Sequence, residues 1–178
     1  VSLDELNIKS RACFAFMEGM KAFTGKDQIK LKTIIKTMES DRENTAMFVT
    51  DGKAPMCASS SSRYEPNQQD IDHAHIFEME LRALDAQLEN NVSETEKWLK
   101  SACELQENTS YSYGPPAIIK PTFELYADWL VEQNRAKEAL AQYEKAWERG
   151  PNRVAILTGK IKAYQIMGDQ ENVGSTKK

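Results

Sequence analysis

Apolar residues recur along this chain at steps of three and four, the spacing that lines one face of an α-helix. Leu6, Cys13, Phe16, Met17, Met20 and Phe23 predict a helix over about residues 3–23, ended by Gly25 as a residue free to adopt positive φ. Leu31, Ile34, Ile35 and Met38 form the apolar face of a second helix over about residues 26–40. The tight Thr24-Gly25-Lys26 connection makes the two an antiparallel hairpin. A third helix starts between Asn67 and Asp72, with Asp70 and Asp72 at the positive end of its dipole. It runs to about Glu89 through Ile76, Phe77, Met79, Leu81, Ala83, Leu84 and Leu88. Ser93 and Glu96 predict a capping box for a fourth helix that carries Trp98, Leu99, Ala102, Cys103 and Leu105 and ends near Asn108.

The C-terminal third has the same character. Pro121 suits the opening of a fifth helix, which ends near Gln133. A sixth spans about residues 136–149 and is closed by Gly150 and Pro151. A seventh spans about residues 153–167, with Leu157, Ile161 and Tyr164 on one face and Gly168 behind it. The polar tail from Asp169 is expected to fray.

Two stretches break the pattern. Residues 41–66 hold one apolar cluster, Ala46 to Val49, and an almost unbroken serine run from Ala58 to Ser62. Such a segment buries too little surface to offset its ordering entropy and predicts a flexible loop, a connector or a lid. Residues 109–121 are punctuated by proline, and Tyr111 and Tyr113 there are candidates for an exposed contact patch or for a seal between hairpins. The fold class predicted is all-α, an antiparallel array of about seven helices in one domain, 1–178.

Composition narrows the function classes. With 23 basic and 27 acidic residues in 178 the formal net charge is −4, which argues against a nucleic-acid partner. No apolar run reaches the roughly 18 residues of a membrane span. Cys13, Cys57 and Cys103 are widely spaced and only two histidines are present, so an ordinary structural zinc site is excluded. Asp70-x-Asp72-His73-x-His75 has metal-like composition, but histidines two apart on a helix point about 200° apart and cannot share an ion. Glycine-rich phosphate loops and a G-x-S-x-G elbow are missing, and the serine run is low complexity. A thiol centre would need Cys13, Cys57 or Cys103 beside a histidine; Cys57 is near His73 and His75 in sequence, but nothing supplies a rigid oxyanion site. No cofactor, no metal and no enzyme activity are therefore expected. Val1 opens the chain without a methionine, which fits a processed or excised piece. A cytoplasmic location is favoured; a periplasmic one follows if an N-terminal signal was removed.

Small residues carry the most specific signal. Ala139, Tyr143, Ala146 and Pro151, with Ala127 and Asn134 upstream, let a neighbouring helix approach closely and stop the second helix of a pair. Residues 120–153 on these grounds resemble a tetratricopeptide repeat, a helix-turn-helix unit of about 34 residues. Phe123 stands where that family usually has tryptophan, Ala127 where it has glycine, and Asn134 at its turn glycine. Leu130 takes the large apolar place of the first helix. The next unit, 154–178, matches at Tyr164 and Gly168 and is a partial terminal repeat. Upstream, Ala83 and Ala102 have the separation of the two small residues, with Leu99 between them. The run from Tyr113 to Asn152 also resembles the C-terminal part of bacterial repeat proteins of unassigned role.

The resemblance implies a short right-handed superhelix of stacked antiparallel hairpins that binds proteins or peptides. The groove would be lined by first helices: Glu124, Asp128, Val131 and Glu132 from one, Thr158, Lys162 and Gln165 from the next. Its carboxylates, with Lys162 the lone cation, favour a basic or mixed-charge ligand over the acidic peptides that some family members clamp. The apolar face within 154–168 would be covered by other helices or would pair with a second copy. Two rival readings stand beside the scaffold: an enzyme or subunit using 41–66 as a lid, and a fragment of a larger protein whose function lies elsewhere.

Overall fold

A computed structural model describes residues 5–49, 66–109 and 118–176. Cys57, the serine run, Tyr111 and Tyr113 lie outside the described residues, as do positions 50–65 of the expected loop. Every regular element described is a helix: α1 (Ile8–Thr24), α2 (Gln28–Ala46), α3 (Gln68–Leu88), α4 (Val92–Asn108), α5 (Thr122–Glu132), α6 (Ala136–Arg149), α7 (Val154–Met167) and α8 (Gln170–Thr176). The fold is all-α, built of helices packed on their neighbours. The chain divides into two compact units, Val1–Ile119 and Lys120–Lys178, where the sequence reading takes 1–178 as one array. The division falls at Lys120, where the repeat resemblance begins.

In the first unit α3 is the central helix and packs on α1, α2 and α4. It is buried on nearly every side, which is why its apolar residues show no clean stripe. The first helix begins later than its periodicity suggests. Asn7 caps it, its side chain accepting from the Ser10 amide at 2.8 Å. Its buried stripe is Ile8, Ala12, Phe16, Gly19 and Ala22, whereas Met17, expected inside, is 42% exposed. Close approach to α3 is the reason. A Cβ on Gly19 would lie 2.5 Å from a Leu81 methyl, and the Phe16 and Phe77 rings meet with centroids 4.9 Å apart. Gly19 lets the two helices close up around the Phe16–Phe77 contact, and Met17 is turned outward. Gly25 closes the helix at φ −78°, and the positive φ falls on Lys26 at 55°.

Residues 41–46, expected within the loop, continue α2 through Ala46. Tertiary contacts hold this extra turn. The Arg11 guanidinium grips Asp41 through both carboxylate oxygens at 2.7 and 2.8 Å, and Arg42 donates to Glu78 at 2.8 Å. Asn67 caps α3, within the expected start. Asn91 rather than Ser93 caps α4, accepting from the Glu94 amide at 3.2 Å after Asn90 turns the chain at φ 56°.

In the second unit α5 packs on α6 and α7, and α7 on α6 and α8. Pro121 opens α5 as expected, and Asn134 makes the α5–α6 turn at φ 59°. Ala127, Ala139 and Ala146 are each 0% exposed, so the short side chains sit where helices nest. Gly168 ends α7 in the left-handed region at φ 74°. The tail expected to fray instead forms α8. Asp169 accepts from the Asn172 amide at 3.1 Å, and Val173 is buried. Leu157, Ile161 and Tyr164 are half-buried. Of the tryptophans, Trp129 is 3% exposed, while Trp98 and Trp147 are half-buried beneath cations, Trp98 under Arg82 and Lys97 and Trp147 under Lys160.

Candidate binding groove

The groove of the second unit begins with a spacing. Lys120, Glu124 and Asp128 recur every four residues, so they stack along one side of α5 and its entry. The Lys120 ammonium donates to Glu124 at 2.8 Å and to Asp128 at 2.5 Å. Arg153, just before α7, donates to the other Glu124 oxygen at 2.9 Å. Tyr143, reaching across from α6, donates its hydroxyl to Asp128 at 2.5 Å. Four charged groups and one phenol thus tie three helices together.

Their electrostatics follow from burial and pairing. Burial pushes the Glu124 carboxyl up, but hydrogen bonds from Arg153 and Lys120 outweigh it and hold it below the usual glutamate value. Burial pushes Lys120 down, and the Asp128 and Glu124 carboxylates more than reverse this. Burial and then the bond to Asp128 hold the Tyr143 phenol far above its ordinary range, so it remains a proton donor. A Cβ on Gly159 would come within 2.1 Å of the Tyr143 oxygen, so glycine there is what lets α7 lie against the phenol.

Over this floor lies an open cavity of about 370 Å³, lined by Asp128, Val131, Glu132, Tyr143, Ala155, Thr158, Gly159 and Lys162. Five of the seven residues expected in the groove meet here: Asp128, Val131, Glu132, Thr158 and Lys162. Glu124 does not face the cavity; it is 1% exposed, beneath Lys120 and Arg153. Gln165 is exposed and lies outside the lining. The sequence reading missed Lys120 and Gly159. The four-residue spacing from Lys120 to Glu124 was the available signal; the Tyr143–Gly159 approach joins separate helices and leaves none. Lys120 is set on Asp128 but lies outside the lining, in which Lys162 is the one cation, as expected. The groove presents acceptors on α5 and an ammonium on α7, an arrangement that binds complementary charges.

Further cavities lie in the first unit, a small one of about 230 Å³ at the start of α1 beside Arg11 and Pro66 and two larger ones. One, of about 640 Å³, opens between α1 and α2 over Ile8, Ala12 and Met38, with Phe14 at 42% exposure, Lys36 and Asn44 around it. The other, of about 370 Å³, lies beside Trp98 among Lys32, Glu39, Arg82, Asp85 and Glu89, charges already paired with one another. Among the described residues no three His, Cys, Asp or Glu side chains are placed to hold a metal ion. No helix described is long and apolar enough to cross a membrane. Compared with protein-family models, curated proteins and solved structures, the chain matches none.

Proposed function

We propose that this chain is a scaffold of the tetratricopeptide repeat type, which binds a protein or peptide segment of basic or mixed charge without bond chemistry. The supporting observation is the α5–α7 cavity, where Asp128, Glu132, Thr158 and Lys162 converge over a floor fixed by Tyr143 and Gly159. A rigid floor under opposite charges keeps the ordering cost of binding low. Val131 and Ala155 offer the apolar part of the contact. An extended segment would set a lysine or arginine against the α5 carboxylates and a carboxylate or carbonyl against Lys162.

The test is a random-peptide display selection against the whole chain, repeated with Glu132→Lys and with Lys162→Glu. Both positions are exposed. Peptides enriched by the wild type should carry lysine or arginine and bind Glu132→Lys at least about tenfold more weakly, a loss of about 1.4 kcal/mol. Failure to enrich any peptide, or equal binding by all three proteins, removes the proposal.

A further inference from the structure

The chain holds two histidines, and both sit in the first turns of α3, the central helix of the first unit. His73 is 5% exposed, and its Nδ1 has no hydrogen-bond partner among the described residues. His75 is half-buried. Neither ring is placed to gain from a proton. The charged groups acting on His73 are Lys9 from α1, which opposes protonation, and Asp70 and Asp72 on its own helix, which favour it. On His75 act Arg42 from α2 and Arg82 on α3, against, and Glu78 and Asp72, in favour. No described group of α4 is among them. Glu78 is already committed to Arg42 and Arg82, each at 2.8 Å, so it is poorly placed to receive an imidazolium.

We propose that His73 and His75 form an acid-operated release in the first unit. Protonation of the two rings loosens the seat of α3 against α1 and α2, while the second unit keeps its packing over the same pH range. The geometry favours the neutral ring at His73, where a buried imidazole with an unpaired nitrogen must either stay neutral or drag a charge into the core; His75, half-buried, has the Arg42 and Arg82 cations acting against its charged form. Burial, and after it the nearby cations, also hold both groups below the usual histidine value. The unfolded chain therefore binds more protons than the folded one just below about pH 6.5, and stability falls as the pH falls through that region. The second unit has no histidine, and its buried Glu124, held by Lys120 and Arg153 below the usual glutamate value, does not titrate there.

The measurement is amide hydrogen exchange of the intact chain at pH 7.5 and 5.5, corrected for intrinsic rates and read helix by helix. Alongside it run urea unfolding at both pH values and the variants His73→Gln, His75→Gln and the pair. The expected result is a several-fold rise in exchange of α1 and α3 at pH 5.5, with α5 to α7 unchanged. The shift in unfolding midpoint should shrink in each single variant and vanish in the pair. Should the variants fail to fold, an NMR titration of the two imidazoles in the wild type decides alone: both must titrate below 6.5. Imidazoles titrating at or above that value, an acid response retained by the double variant, or an opening shared equally by α5 to α7 would overturn the proposal.

Discussion

The two units solve the same packing problems with the same pair of devices. Each buries a glutamate between two cations drawn from different places in the chain. Glu78 takes Arg42 and Arg82 at a side-chain exposure of 3%, and Glu124 takes Lys120 and Arg153 at 1%. Each also sets a helix glycine against a large side chain, Gly19 against Leu81 and Gly159 against Tyr143. The difference lies in what the devices support. In the second unit the phenol that fills the glycine notch is bonded to Asp128, and that carboxylate opens onto a charged groove. In the first unit the notch is filled by leucine, and the larger cavity nearby has an apolar floor. In the second unit the glycine notch itself is thus tied to a polar surface; in the first the notch is apolar, and only the glutamate clamp, through Arg82, reaches a charged cavity.

The sharpest way to break this comparison is at the glycines. Gly159→Ala drives a Cβ into a rigid, hydrogen-bonded ring and should cost about 3 kcal/mol in urea unfolding. Gly19→Ala meets the mobile end of a leucine and should cost about half as much. Tyr143→Leu removes all three ring atoms that collide, the hydroxyl at 2.1 Å, Cζ at 2.2 Å and Cε1 at 2.6 Å, so the Gly159→Ala/Tyr143→Leu pair should be more stable than the sum of its single changes by about 1 kcal/mol. An additive pair would show that the phenol does not set the spacing.

The charge clamps come next. Glu78→Gln and Glu124→Gln each leave two cations facing a neutral amide, and each should cost about 2 kcal/mol, below the range for fully buried pairs because the cations are partly exposed. Acid separates the units further. Glu124 is held below its ordinary value in the fold, so its contribution is present above about pH 4.3 and is lost as the pH falls through its folded value. Loss of protection in α5 at pH 5.5 would contradict this.

The smallest effects belong to the groove surface. Glu132→Lys and Lys162→Glu should change stability by less than about 0.5 kcal/mol, since both side chains are exposed. Their consequence should appear in binding alone, read by titration calorimetry with a selected peptide.

How much was legible in the sequence differs between the units for a physical reason. In the second unit the determinants are local or lie at fixed repeat offsets. Pro121, Asn134, Gly168 and the alanines at 127, 139 and 146 mark turns and close contacts that spacing alone reveals, and five of the seven expected groove residues line one cavity. In the first unit the determinants are tertiary. Met17 looks like core by period, yet the glycine beside α3 turns the helix so that Ala12, Phe16 and Gly19 face inward. Residues 41–46 look like loop, yet Arg11 and Glu78, distant in sequence, hold them helical. Glu124 reads as a surface carboxylate until Arg153 arrives from the start of α7. Periodicity shows which face is apolar; it does not show which charges a fold will bury together.

The central claim, that the α5–α7 cavity is where this chain meets a partner, is tested most directly by mapping a display-selected basic peptide onto the ¹⁵N-labelled protein by NMR. Amide shifts should gather at Asp128, Val131, Glu132, Thr158 and Lys162 and fade in Glu132→Lys. Shifts gathered instead around Ile8, Phe14 and Lys36, the apolar cavity of the first unit, would contradict the account.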